Sequence, residues 1–303
     1  MTATTVIEID THNQQRIIHI GTANFNNNYG IGQRSSIFQS NDLHKLFFEI
    51  QDNKNIYLDT SRNYEGVEEL IGKYASGKLL NKITTKISPS KRDTSSSVVN
   101  MVKNSLEKVG QESFYSVLLH NPEILSCENA TDIVNGLEQC TNLGLTKSIG
   151  ISSYESQQMV QLKKRFPQLT NFQINENVLD QKNFKNADLV TLSKTGNRIF
   201  VRSIFLQGNL LVNYRDLPEF LIPQQEIFKK FIDLCDSKKV SQIKCCLDYV
   251  KQISWSNGIV VGINKFTDLT DIVENFSSAI EVNDFKIDVL NAFYSDPRNW
   301  INT

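Results

Sequence analysis

Four side chains of unlike chemistry stand at or near the ends of short aliphatic runs. Asp59 closes Ile56-Tyr57-Leu58, Lys86 closes Ile83-Thr84-Thr85, His120 follows Ser116–Leu119, and Tyr64 lies five residues beyond Asp59. Such a set suits protonation of an oxygen while a hydride arrives at its carbon. A tyrosine phenol titrates near 10, too high for an efficient acid at neutral pH. An adjacent ammonium favours the phenolate and lowers that value. A carboxylate beside the ammonium keeps it charged and aimed. An imidazole can orient a carbonyl oxygen toward the phenol. Taken singly, each residue has a structural reading: Lys86 as a strand-end lysine, Asp59 as a helix N-cap or loop residue, Tyr64 as rim packing, His120 as a satisfied hydrogen-bonding group. Their joint placement on three successive run ends favours the chemistry.

Positioning these residues requires elements. Strand-like runs fall at Ile17–Ile20, Ile56–Asp59, Ile83–Lys86, Ser116–Leu119, Ser148–Ile151, Phe172–Asn175, Ile199–Arg202 and Ile259–Val261. They are continuous rather than alternating, the pattern of strands covered on both faces and hence parallel. Helical periodicity lies between them. Val98, Met101, Val102, Leu106 and Val109 share one face, and Ile243, Leu247, Val250 and Ile253 share another. Eight such units predict a closed (β/α)8 barrel, a TIM barrel, forming a single domain over 1–303, with function on the loops after the strands. An open doubly wound sheet is the alternative, but no GxGxxG stands at any strand-to-helix turn. Val6–Asp10 and Gln15–Ile20 suggest a β-hairpin closing the barrel bottom. Gln207–Pro223 reads as a long loop and Ala279–Thr303 as a C-terminal tail, both placed to shape a pocket.

Composition narrows the function classes. The chain has 303 residues, 40% of them hydrophobic, with 32 basic against 33 acidic side chains. That excludes bulk disorder and any global field drawing it to nucleic acid or anionic membrane. No run approaches the roughly 18 apolar residues of a bilayer span, and MTATTVIEID lacks the features of a secretory signal. Five cysteines without a CxxC pair, two of them adjacent at Cys245 and Cys246, suggest reduced thiols and a cytoplasmic location. Gly72–Lys78 has P-loop spacing, but Leu79 replaces the magnesium-binding hydroxyl and the segment follows no strand.

The motifs resemble those of the aldo-keto reductases over nearly the whole chain. IGTANF at 20–25, LDTSRNYEGVEELIGKY at 58–74, ITTK at 83–86, VLLHNPE at 117–123, GLTKSIGISSY at 144–154, NFQINENVLD at 171–180, VRSIFLQGNLL at 201–211 and VEN at 273–275 carry the resemblance. It implies a catalytic tetrad: Tyr64 as general acid, Lys86 depressing its pKa, Asp59 pairing with Lys86, and His120 orienting the carbonyl. It also implies an extended nicotinamide cofactor across the barrel mouth, and no metal. Gly21 and Thr22 would stand beside it. Ser152, Ser153 and Gln173 would hold its carboxamide, and Arg202 would occupy the place from which an aromatic often stacks on the nicotinamide. Ser203, Leu206 and Gly208 would line the pyrophosphate path. Lys265 would sit near the ribose phosphate, and Glu274 and Asn275 would bond the adenine. The GTANF opening and RSIFLQG resemble a bacterial-type branch in which carbohydrate or nucleotide-sugar metabolism is common.

The sequence also departs from the family pattern. Ser153 stands where an asparagine is common, a shorter donor toward the carboxamide. Asp271 stands where an arginine often closes the 2′-phosphate site, and a carboxylate there is unfavourable to phosphate, although Lys265 supplies a compensating charge. The resemblance therefore implies NADPH, with NADH or dual use open. The expected activity is reduction of an aldehyde or ketone, sugar-derived or not, by a monomer or weak homo-oligomer. The alternative is a cofactor-sensing regulator on the same scaffold, as in potassium-channel β subunits. Phe25, Tyr154, Phe205, Phe293, Tyr294 and Trp300 are candidate pocket aromatics, with Trp300 read as a lid residue. The short Asn121–Asn129 loop suggests an open pocket.

Overall fold

A computed structural model describes residues 16–25, 40–75, 79 and 81–302. The expected N-terminal hairpin therefore lies outside the described residues, apart from Arg16 and the strand that follows it. Eight strands form a closed barrel in chain order: β1 (Ile17–Gly21), β2 (Ile56–Asp59), β3 (Ile83–Ile87), β4 (Ser116–Leu119), β5 (Ile149–Ser153), β6 (Asn171–Asn175), β7 (Arg198–Arg202) and β8 (Gly258–Gly262). Every pairing is parallel, including the closing pair of β1 with β8. Helices α1 (Ser40–Asp52), α2 (Val67–Ala75), α3 (Ser95–Val109), α4 (Ala130–Asn142), α5 (Ser156–Arg165) and α6 (Ala187–Lys194) each connect one strand to the next. Helices α7 (Gln225–Lys238) and α8 (Gln242–Lys251) together precede β8, and α9 (Phe266–Ser277) and α10 (Ala292–Ser295) follow it. This is the (β/α)8 architecture.

The local reasons are readable. In α3, Thr94 caps the N-terminus by accepting Ser97 N–H at 3.3 Å, and Gly110 ends the helix at φ 62°. Val98, Val102, Leu106 and Val109 are buried, as the 3.6-residue pattern predicts. Glycine is required in β5. A Cβ on Gly150 would lie 1.5 Å from the Asn171 carbonyl oxygen, so only glycine lets β5 approach β6 this closely. Gly72, first residue of the false P-loop, has a helix-packing role instead. A Cβ there would meet the Lys108 carbonyl oxygen at 2.1 Å, where α2 crosses α3.

Strand residues alternate between the helix layer and the barrel interior. His19, Tyr57, Tyr115 and Phe200 pack together, with the His19 ring 4.5 Å from that of Phe200 and 5.4 Å from that of Tyr57. Burial lowers the His19 pKa to about 4, so the plug they form is uncharged at neutral pH.

The periodicity understates α8. Residues Lys244 to Val250 are all buried, not one face of them. The chain after α9 passes over this helix and is pinned to Asp248, whose Oδ2 accepts the backbone N–H groups of Glu281 and Val282 at 2.9 and 3.0 Å. Lys244 and Lys251 neutralise the same carboxylate at 2.5 and 2.9 Å. All five cysteines are free thiols. The stretch read as one long loop after β7 contains three 3-10 turns, Leu206–Leu211, Tyr214–Asp216 and Glu219–Gln224.

Behind the mouth, Glu176 is fully buried and accepts from the Tyr249 hydroxyl at 2.6 Å and the Asn183 N–H at 3.0 Å, tying the segment after β6 to α8. Burial raises its pKa to about 8. A carboxyl raised above its unfolded value stabilises the fold only while protonated, and that contribution fades as pH climbs from about 4.5 to 8. Glu176→Gln cannot ionise. Its thermal stability relative to wild type is therefore expected to rise between pH 5 and pH 9, by on the order of 3 kcal/mol. Parallel melting curves across that range would show no divergence if Glu176 stayed ionised in the fold.

Candidate active site

The mouth of the barrel collects the inward-facing ends of its strands. The Lys86 ammonium pairs with Asp59 Oδ1, and both side chains are 4% exposed. Asp59 Oδ2 accepts the Gln173 amide at 2.5 Å from β6, on the far side of the barrel. Contact between β2 and β6 is possible only because both side chains point into the lumen. Lys86 also donates to the Thr60 carbonyl at 3.3 Å. Gly21 ends β1, and Thr22 donates from both its N–H and its hydroxyl to the Asp59 carbonyl, at 3.0 and 3.1 Å. This fixes the backbone that carries the carboxylate.

Tyr64 and His120 stand over this pair. Their rings meet edge to face with centroids 6.1 Å apart, and Lys86 Nζ is 5.8 Å from the Tyr64 centroid. The four expected catalytic residues are thus brought together. The electrostatics differ from the expectation that Lys86 depresses the tyrosine. Burial, then the Asp59 carboxylate, raise the Tyr64 phenol above its ordinary value, and Arg202 opposes them. Burial and the Asp59 carboxylate thus keep the phenol protonated at neutral pH, the form a general acid needs. Burial, followed by the Lys86 charge, pushes His120 down to about 4, so its imidazole is neutral.

Ser61, which carried no sequence signal, positions this histidine. Its hydroxyl lies 3.0 Å from His120 Nδ1 and 3.2 Å from the Lys86 carbonyl. The single hydroxyl proton serves one acceptor at a time: given to the Lys86 carbonyl it leaves the imidazole proton on Nδ1, and given to Nδ1 it leaves that proton on Nε2, free for a substrate oxygen.

The cofactor candidates separate into groups. Ser152 lines a cavity next to His120. The Ser153 hydroxyl, by contrast, is engaged in its own turn at the start of α5, with Gln158 Oε1 at 2.8 Å and the Glu155 backbone at 3.0 and 3.1 Å. Arg202 reaches back across the strand ends to the Ser153 carbonyl at 3.2 Å, and its guanidinium stacks 4.0 Å from the Tyr154 ring centroid. After β7 the backbone turns left-handed at Ser203, Leu206, Gln207 and Gly208, with φ of 60°, 46°, 53° and 89°. Three of these are not glycine, and such strain concentrates where a loop is shaped for a ligand. Lys265 caps α9 with its side chain 64% exposed, and Asp271, Glu274 and Asn275 follow along that helix. Asn275 donates to the Asp271 carbonyl at 2.7 Å.

The tail supplies a residue that the sequence did not single out. Trp300 is buried, with its ring 5.0 Å from that of Phe220, and serves as packing rather than as a lid over the cavity. Arg298 is the tail residue that reaches the cavity. Among the described residues there is no cluster of metal-ligating side chains, and no helix is long and apolar enough to cross a membrane.

The fold has many solved counterparts. An aldo-keto reductase of Bacillus halodurans in holo form superposes with a TM-score of 0.66 at 15% identity, over 86% of this chain and 87% of that one. A Pseudomonas aeruginosa chain assigned provisionally as an aldo-keto reductase gives 0.61 at 16% identity, over 86% and 89%. At such identities the likeness speaks for the fold. No curated protein matches the chain significantly. The model of the Aldo/keto reductase family matches residues 17–291, which is nearly the full length, so the chain belongs to that family of oxidoreductases.

Proposed function

We propose that the chain is an NAD(P)H-dependent reductase that converts an aldehyde or ketone to the alcohol, with Tyr64 as its general acid. The observation that carries this reading is the buried Asp59 carboxylate, held between Lys86 and Gln173 directly beneath a protonated phenol and a neutral imidazole. A bound reduced nicotinamide supplies the hydride. His120 orients the carbonyl oxygen toward Tyr64, and Tyr64 gives that oxygen its proton as negative charge develops there. The Lys86 ammonium, kept charged by Asp59, stabilises the phenolate that remains.

The donors and acceptors at the mouth fit a nicotinamide. Gln173 Oε1, Asn175 Oδ1 and Arg202 Nε are buried with no hydrogen-bond partner among the described residues. Unmatched polar atoms of this kind are costly, and a ligand that pairs with them removes that cost. A carboxamide offers the N–H donors that the two oxygens lack and an oxygen that a guanidinium N–H can reach. We assign Ser152 and Gln173 to the carboxamide, the Ser203–Gly208 turn to the pyrophosphate, and Lys265, Glu274 and Asn275 to the ribose phosphate and adenine. Gly21, Thr22 and Arg202 flank the nicotinamide end. Ser153 acts by setting the α5 turn.

The test is a fluorescence titration with NADPH and NADH, followed by a carbonyl panel. Binding with reduction supports the reading. Binding without reduction of any carbonyl favours the cofactor-sensing alternative. Asp271 is the charge that opposes a 2′-phosphate, so Asp271→Arg is expected to raise the NADPH-to-NADH affinity ratio roughly 5- to 20-fold. An unchanged ratio in the same titration would place the phosphate elsewhere.

A further inference from the structure

A cavity of about 250 Å³ opens off His120 and Ser152. Its other walls are Asn121, Pro122 and Glu123 after β4, Tyr154 and Gln158 after β5, and Arg298 of the tail. The volume falls below the roughly 300–1,000 Å³ of pockets for drug-sized ligands. Pro122 and the Tyr154 ring are apolar, and the other lining residues carry hydrogen-bonding side chains. Gln158 is fixed by accepting the Ser153 hydroxyl at 2.8 Å, which leaves its amide nitrogen to donate.

The charge of the wall is balanced in a particular way. Arg298 is the cation that lines it, and its guanidinium lies 3.9 Å from the Tyr154 ring centroid. That guanidinium is already engaged by Asp296, with Nε 3.0 Å from both carboxylate oxygens and Nη2 2.6 Å from Oδ2. Glu123 places a carboxylate in the wall itself, and its charge is felt at Arg298. An arginine free of Asp296 would offer a two-pronged anion site. Held as it is, it has its remaining N–H groups to offer a neutral oxygen, and Glu123 offers acceptors to hydroxyl protons.

We propose that this cavity selects small, uncharged, hydroxyl-bearing aldehydes or ketones, and that Asp296 and Glu123 exclude anionic ones by neutralising Arg298. The inference rests on the reading above, in which the substrate carbonyl lies at His120. Asp296 is a positioning residue acting through Arg298, and Glu123 contacts substrate.

The experiment compares kcat/KM for D-glyceraldehyde, propanal and D-glyceraldehyde 3-phosphate. In the wild type, D-glyceraldehyde is expected to exceed each of the others by about tenfold. Asp296→Asn and Glu123→Gln should each move the ratio of phosphorylated to neutral substrate upward by about tenfold. Arg298→Met should remove most of the advantage of D-glyceraldehyde over propanal. Equal use of propanal, a wild-type preference for the phosphate ester, or a ratio unmoved in both charge variants would overturn the proposal. A binding arm separates this outcome from failure of the reductase reading. Calorimetric titration with glycerol 3-phosphate needs no turnover, and Asp296→Asn should bind it more tightly than wild type. Unchanged affinity there would overturn the charge filter whether or not any carbonyl is reduced.

Discussion

Tyr64→Phe is expected to lower kcat for carbonyl reduction by about 10³-fold, within the range by which a positioned general acid contributes. The phenol sits above Lys86 and beside His120, and burial with the Asp59 carboxylate keeps it protonated. Phenylalanine keeps the ring and its packing but removes the proton. Cofactor affinity should therefore change by less than about twofold, while kcat and kcat/KM fall together, the signature of an interaction made in the transition state. Retained turnover would remove Tyr64 from the chemistry. A loss of affinity equal to the loss of rate would assign it to binding. The pH profile carries a second sign. His120 at about 4 is neutral from pH 5 upward, so no acidic limb above pH 5 should arise from it. The raised phenol of Tyr64 places any basic limb it causes well above neutral pH.

Lys86→Met carries the second large effect. Removing the ammonium leaves Asp59 buried with the Gln173 amide as its remaining side-chain donor. Breaking one side of a buried ion pair costs roughly 3–5 kcal/mol, because the remaining charge is uncompensated. Denaturant unfolding should register that loss, and the variant should also lose turnover. The double variant Lys86→Met, Asp59→Asn should recover much of the stability, since the orphaned charge is gone, without recovering activity. A single variant as stable as wild type would mean that the pair is solvated. Recovery of activity in the double variant would show that the pair has no part in catalysis.

Much of the barrel was legible in the sequence. Its strands are buried on both faces, so they read as aliphatic runs, and each expected run starts within one residue of the observed strand and ends level with it or up to two residues short. Asp59, Lys86 and His120 were legible because a barrel concentrates polar residues at the C-terminal ends of such runs. What was hidden lies in contacts between distant residues. Nothing near Ser61 announces that its hydroxyl meets His120 Nδ1 from 59 positions away. Nothing in the tail announces that Arg298 reaches Tyr154 while Trp300 turns inward. The pattern of α8 was misleading for the same reason. A helix covered by a returning tail buries its charged positions too, and Lys244 and Asp248 look like surface residues until Lys244 is seen donating to the Ala279 carbonyl and Asp248 accepting from Glu281 and Val282. The direction of the Tyr64 shift was hidden because it is set first by burial and then by the Asp59 carboxylate, neither of which the sequence spacing shows.

The central claim is that Tyr64, Lys86, Asp59 and His120 cooperate to deliver a proton to a carbonyl oxygen as hydride reaches its carbon. The most direct measurement follows the label from reduced nicotinamide carrying deuterium at its transferable position into the product alcohol, by mass spectrometry, for wild type and Tyr64→Phe. The account predicts deuterium on the former carbonyl carbon with wild type and almost none with Tyr64→Phe while cofactor still binds. Equal incorporation by the two proteins, or none by wild type with any carbonyl while cofactor is bound, would contradict it.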